Sequence, residues 1–181
     1  RWDDALRDVV VLARRGTQVG DGEHDSPDIV VLVVEEGVGV LRTARLVAEG
    51  VPHLVVTVTA WGAVVGPFVL PGQTACARCV ELQVESLGDL ADDDALHPAG
   101  LGASAALGAA PGGRLPQSSA VAATAGALVA AEVVAYLDGR RPATAGASID
   151  VETLDAVPRL RGWSVHPRCG CTEMGVLAPG C

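Results

Sequence analysis

The strongest hydrophobic signal in the chain is the unbroken aliphatic run from Ile29 to Val34, preceded by Asp28 and followed by Glu35 and Glu36. With no polar position inside it, the run predicts a strand covered on both faces, as in a parallel sheet. From Gly37 to Ala48 the period changes. Val38, Leu41, Ala44, Val47 and Ala48 share one helical stripe, Arg42 and Arg45 lie opposite, and Gly50 stands where a helix C-cap belongs. His53 to Thr59 reads as a strand again, so residues 28–59 form a strand–helix–strand unit. Trp61-Gly62 then turns the chain into Ala63 to Leu70, the expected antiparallel partner, which Pro71-Gly72 ends.

The flanking stretches are less sharply patterned. Between Trp2 and Arg15 the apolar positions recur at helical spacing and predict a helix, although the run from Val9 to Leu12 fits a short strand equally well. Gly16 to Pro27 reads as a loop, and residues 80–87 as the beginning of a helix. Gly88 to Pro116 mixes Gly, Ala, Pro and Asp without an apolar period, and a mobile loop is expected there. Ser118 and Ser119 are N-cap candidates for a long Ala-rich helix through Leu137, closed by Gly139. Its small residues Ala122, Ala125, Gly126 and Ala130 would let it lie close against a sheet or a symmetry mate. Ala145 to Val151 and Val157 to Val165 read as a last pair of strands, with a cysteine-bearing loop after His166.

A length of 181 residues and 49% hydrophobic content describe a single ordered domain over residues 1–181, with a core of Val, Leu and Ala because aromatics are only 3%. The net charge of −9 disfavours a phosphate-tracking nucleic-acid binder and an acidic partner. The chain has no Lys and no Asn, the signature of a GC-rich genome, so Schiff-base chemistry and a Walker-type lysine are excluded within it. Arg1 opens the stretch and its one Met is Met174, so upstream sequence is expected to be missing. No signal peptide is visible. The apolar stretch from Ala120 to Ala131 is expected to be too short and too weakly hydrophobic to span a bilayer, and no membrane partner is expected. The cytoplasm is the default compartment, where cysteines serve as metal ligands or reactive thiols.

Cysteine spacing carries the main chemical signal. Cys76-Ala-Arg-Cys79 and Cys169-Gly-Cys171 are a C-x-x-C and a C-x-C, each a tight turn presenting two thiolates on one side. Together they fit a structural tetrahedral Zn²⁺ site. Two unrelated thiol pairs, or a redox C-x-x-C, are the competing readings, and the redox one leaves the second pair unexplained. Cys181 and His166 could each replace one of the four; the other reading makes Cys181 a free terminal thiol and gives His166-Pro167 the shaping of the turn. His24, His53 and His97 are isolated, and His53 reads as a core histidine at the start of a buried strand. Gly37-Val-Gly39 sits in the right context for a dinucleotide turn, but Arg42 replaces the third glycine, which favours an ordinary strand-to-helix turn. Glu35 and Glu36, at the carboxyl end of a strand, could hold Mg²⁺ or simply be a solvated strand end. Asp89, Asp92, Asp93 and Asp94 read as a solvated acidic loop, or as a segment that orders on a basic peptide.

Several blocks carry a family resemblance: Asp28 to Glu35, Gly50-Val-Pro52-His53-Leu54, the run from Val65-Gly66-Pro67 through Pro71-Gly72-Gln73-Thr74-Ala75-Cys76 to Cys79, Leu137-Asp138-Gly139, and His166-Pro167-Arg168-Cys169-Gly170-Cys171. Over roughly Asp28 to Cys171 the sequence resembles the ThiF/MoeB-type activating-enzyme superfamily. Within it the resemblance is greatest to the ThiF-like cyclodehydratase-partner, leader-peptide-binding proteins of ribosomal-peptide biosynthesis, which work with YcaO enzymes. The resemblance implies a Rossmann-like mixed sheet with flanking helices, zinc on Cys76, Cys79, Cys169 and Cys171, and a homodimer. It places Glu35 where the family holds its Mg²⁺-binding Asp, with Glu36 in place of the Asn that usually follows. The Gly-rich turn, acidic ribose ligand and basic phosphate ligands that hold ATP in active members are not found in this stretch. The expectation is therefore a partner protein that binds or presents a precursor peptide to a YcaO-type enzyme without ATP chemistry of its own. The competing reading is the carboxyl-terminal half of an ATP-dependent adenylyltransferase whose nucleotide-binding half precedes Arg1 and which activates a peptide or sulfur-carrier C-terminus, and a third is a zinc-clamped homodimeric module with no peptide partner.

Overall fold

The computed structural model describes residues 10–13, 27–35, 39–59, 61–88, 118–153 and 157–172. Along them run β1 (Val10–Ala13), β2 (Ile29–Glu35), α1 (Gly39–Ala48), β3 (His53–Thr59), β4 (Gly62–Val69), α2 (Ala77–Gly88), α3 (Ser119–Leu137), β5 (Ala147–Glu152) and β6 (Pro158–Gly162). The strands make one sheet in the order β1-β2-β3-β4-β5-β6. β2 and β3 are parallel and joined by α1, the crossover that a parallel pair requires; the other neighbours are antiparallel. The architecture is α/β with a mixed sheet and flanking helices.

From Ile29 to Val34 β2 is aliphatic because both of its faces are covered. Ile29 and Val31 join Leu54, Val56, Val65, Phe68, Ile149 and Val151 under Val121 and Ala125 of α3. Val30, Leu32 and Val34 join Val55 and Leu46 of α1 on the opposite face. Between the pairs Leu54↔Phe68 and Val56↔Val65, β4 has one residue more than β3, and this bulge over Gly66-Pro67 returns Val65 and Phe68 to the same face. Phe68 is fully buried, with its ring 5.1 Å from that of Tyr136 on α3.

The helix ends follow the sequence. Gly50 (φ 71°) closes α1, its N–H donating to Val47 O while Val51 N–H donates to Leu46 O. Gly139 (φ 75°) closes α3 with the same pair of bonds, to Tyr136 O and Ala135 O. These are Schellman caps, which need a left-handed residue at that point. Ser118 sits at the N-cap of α3 in extended conformation, but its side chain makes no capping bond.

Three expectations change. The stretch from Trp2 to Arg15 contains strand β1 in place of a helix over Val10–Ala13, paired antiparallel with Ile29 to Leu32. An exposed edge of β2 selects the extended form of a β-branched run whose spacing alone fitted a helix. α2 starts at Ala77, before the expected residue 80, so the C-x-x-C lies across its first turn. α3 has 19 residues and an 18-residue window of mean hydropathy 1.8, so by length and composition alone it could cross a membrane, against the reading from Ala120 to Ala131. Here Val121, Ala125, Glu132 and Ala135 are buried against the rest of the chain. Glu132 is the unexpected member. Its carboxylate accepts the N–H groups of Ala143 (3.2 Å) and Thr144 (2.8 Å) and the Thr144 hydroxyl, fixing the α3–β5 connection. The expected mobile loop lies, beyond its first residue Gly88, outside the described residues.

Candidate metal centre

Each half of the thiol cluster is aimed by its own local structure. After β4 the chain turns at Pro71-Gly72. The Thr74 hydroxyl accepts the Leu70 N–H at 2.9 Å and donates to Phe68 O at 3.3 Å, while the Gln73 and Thr74 N–H groups both donate to Leu70 O. That knot sets Cys76 at the entry of α2, where its carbonyl accepts the Val80 N–H. Cys79 follows one turn on, fully buried. In the other half, the Cys169 N–H donates to His166 O at 2.9 Å and the Arg168 N–H to His166 Nδ1 at 3.2 Å. Pro167 occupies the second position of this turn, where its fixed φ suits it. His166 thus shapes the turn, as one of the sequence readings held, and its own N–H donates to Cys79 Sγ at 3.3 Å.

The two halves meet. The sulfurs of Cys76, Cys79, Cys169 and Cys171 all lie within 4.8 Å of one another. Cys76 Sγ is 3.9 Å from Cys79 Sγ and 3.5 Å from Cys169 Sγ, and Cys79 Sγ is 3.5 Å from Cys171 Sγ. A disulfide needs about 2.05 Å, so these are four free thiols. Ligands at about 2.3 Å from a tetrahedral Zn²⁺ stand about 3.8 Å apart, so the cluster has the span and the donor set for that ion. It also lies in an apolar setting, among Val47 of α1, Val69 of β4 and Ala75, with Trp163 and Val165 alongside.

Electrostatics agree with the donor chemistry. Burial first, then the neighbouring sulfurs of Cys76 and Cys79, push the Cys169 thiol up to about 12 and raise Cys171 as well. For Cys79 burial also opposes ionisation, but hydrogen bonds from the His166 and Cys76 backbone and from the neighbouring thiols outweigh it and bring the thiol below its ordinary value. Four sulfurs this close cannot all be anionic without a cation between them, and a bound divalent ion deprotonates such ligands.

Other sequence candidates fall elsewhere. Glu35 ends β2 opposite Val58, whereas the thiols follow Val69, which pairs with His53 at the other end of β3. Roughly 15 Å of strand separates the two ends, so Glu35 takes no part in the cluster. Glu36, Gly37, His24, His97, Cys181 and the four aspartates from Asp89 to Asp94 lie outside the described residues. His53 is a core residue, as expected, with no exposed surface; Nδ1 lies 2.8 Å from Val51 O, and Nε2 finds no partner among the described residues. Burial, partly offset by the Val51 carbonyl, lowers its pKa to about 4.

Comparison with solved structures places this geometry among known folds. E. coli MccB superimposes with a TM-score of 0.56 at 17% identity, over 82% of this chain and 39% of MccB. MccB solved with ATP gives 0.56 at 16% over 82% of this chain and 41% of that one. The microcin C7 biosynthetic enzyme MccB in complex with N-formylated MccA gives 0.56 at 16%, over 82% and 42%. The chain shares its fold with this part of MccB. It spans about two fifths of the length of these proteins. No protein-family profile matches the sequence, and no curated protein matches it.

Sequence reasoning identified the four cysteines but gave no role to Thr74 or Gln83. Thr74 belonged to the resemblance block without a stated reason; its buried hydroxyl at the exit of β4 supplies one. Gln83 carried no signal beyond its place one turn after Cys79.

Proposed function

We propose that this chain is a zinc-stabilised, ThiF-like domain of a ribosomal-peptide biosynthetic system, binding or presenting a precursor peptide to a YcaO-type modifying enzyme without ATP chemistry of its own. The observation that carries this reading is the MccB fold over 82% of the chain, because MccB has been solved in complex with N-formylated MccA. Zn²⁺ on Cys76, Cys79, Cys169 and Cys171 would lock α2 to the segment that follows β6, supplying folding free energy in place of a larger core. The reading includes a homodimer and a cytoplasmic location, the latter consistent with four free thiols.

A second reading is favoured by one observation: MccB has also been solved with ATP. On that reading the chain is the carboxyl-terminal part of an adenylyltransferase that activates a peptide carboxylate, with Glu35 at the metal-nucleotide position. Isothermal titration separates the two. ATP·Mg²⁺ and a precursor peptide encoded near the gene are titrated into the zinc-quantified chain and into the intact gene product. Peptide binding by both with no ATP heat supports the presenting role, whereas ATP binding by the intact product overturns it in favour of adenylation.

A further inference from the structure

The metal centre joins residues far apart in sequence, and the segment that brings in its second half has no regular structure. Beyond β6 the Trp163 N–H still donates to Gly146 O at 2.8 Å, but residues 164–166 belong to no strand or helix before the turn that presents Cys169 and Cys171. One side chain supplies the missing partner. The Gln83 Nε2 donates to Ser164 O at 2.8 Å and to Cys79 O at 3.0 Å, while its Oε1 lies 3.4 Å from the Ser164 N–H and 3.2 Å from the Ser164 hydroxyl, accepting from both. Two carbonyls against the amide nitrogen and two donors against the amide oxygen leave one orientation of the side chain, since the flipped amide would face like with like. Gln83 therefore pairs with the Ser164 backbone as a neighbouring strand residue would.

Its position on α2 gives that pairing a consequence. Cys76, Cys79 and Gln83 stand at i, i+3 and i+7, which places them along one face of the helix. Ser164, held by Gln83, is two residues before His166, whose N–H reaches Cys79 Sγ and whose carbonyl and ring receive the Cys169 and Arg168 N–H groups. Trp163 is fixed from the other side, its indole N–H donating to the Ser148 hydroxyl at 2.9 Å. From Ser164 onward the segment meets α2 at two points, Gln83 and Cys79, and Gln83 is the first of them.

We propose that Gln83 is a positioning residue of the metal centre: it sets the register of the Cys169/Cys171 turn against the Cys76/Cys79 pair before the ion binds, and so determines how tightly the ion is held. The inference rests on the zinc reading above and concerns how the site is assembled. A partner in this outer position is worth 10- to 100-fold in metal affinity in comparable centres.

The test measures zinc affinity by competition with a chromophoric chelator, and the visible spectrum of the Co²⁺-substituted chain, for the wild type, Gln83→Ala, Gln83→Glu and Glu85→Ala. Gln83→Glu keeps the acceptors for Ser164 but sets a carboxylate oxygen against the Ser164 and Cys79 carbonyls. Glu85 is an exposed α2 residue across the helix from Gln83 that pairs with Arg78, and it is a control for general loosening of the helix. The expected result is about 10- to 100-fold weaker zinc for Gln83→Ala, a loss at least as large for Gln83→Glu, a weaker tetrahedral Co²⁺ band for both, and no change for Glu85→Ala. Zinc binding by Gln83→Ala within twofold of the wild type, or an equal loss in Glu85→Ala, overturns the positioning role while leaving the zinc site standing. A wild-type chain that takes up no zinc overturns the zinc reading itself, and the positioning role with it.

Discussion

The cluster under α3 and the cluster around the thiols are held by different chemistry. Under α3, eleven buried apolar residues from β2, β3, β4, β5 and the helix form one cluster, with seven more partly buried around it. On the α2 side the corresponding cluster has six buried residues, and three of them are cysteines. Buried apolar area stabilises the first by its own solvent transfer, at about 25 cal/mol per Å². In the second, polar sulfurs occupy the place of hydrocarbon, and their separation is that of metal ligands. The α3 cluster folds on its own composition, whereas the thiol cluster has the donor set for an ion to complete it.

The largest expected effect tests the α2 side. Cys79→Ser removes a fully buried ligand, and the unfolding midpoint in zinc-loaded buffer should fall by the equivalent of more than about 5 kcal/mol; an unchanged midpoint, or one insensitive to a chelator in the wild type, would show that the thiols hold no structural ion. Phe68→Ala tests the α3 side. The fully buried ring leaves a cavity beside Tyr136, and a loss of about 4 kcal/mol is expected. That decrement should be equal in variants with and without an intact thiol cluster, because the two clusters are distinct; strong coupling between Phe68→Ala and Cys79→Ser in a double-mutant cycle would merge them into one unit.

The third test concerns a seam between two clusters. His53 starts β3 beside Val30 of the α1-side cluster and Val69 of the thiol-side cluster. Its pKa is lowered from 6.5 to about 4 in the folded chain, so the unfolded chain takes up the proton first. Stability is therefore complete above pH 6.5 and declines as pH falls towards 4, by roughly 3 kcal/mol at about 1.4 kcal/mol per unit. Denaturant midpoints at pH 7 and pH 4.5 for the wild type and His53→Leu measure it. Parallel pH dependence in the two proteins would remove His53 as the cause.

What could be read from the sequence follows how local each determinant is. β3 has the expected bounds, His53 to Thr59, because both its pattern and its flanking turns are contiguous. The Gly50 and Gly139 caps were legible for the same reason, since a Schellman motif is closed within six residues. The cysteine quartet was legible despite its span because thiol spacing is itself a coordination pattern. β1 was not, since the choice between helix and strand over Val10 to Ala13 is made by the edge of β2. Glu132 and Gln83 were invisible because their partners, Thr144 and Ser164, lie 12 and 81 residues away, and an isolated Glu or Gln on a helix looks the same with or without them. The carboxyl-end position of Glu35 and the thiols were both evident in the sequence, but their placement at opposite ends of the sheet depends on β4 running back along β3.

The thiol cluster also bears on tolerance to change in length. Cys79 and Cys171 are 92 residues apart, and an ion held by both would close a ring through every residue between them. The closure cost of a ring rises only with the logarithm of its length, about 0.6 kcal/mol for each doubling. Residues added to or removed from the stretch between the two cysteines would accordingly change stability little, with both ends of the ring fastened at the same four sulfurs.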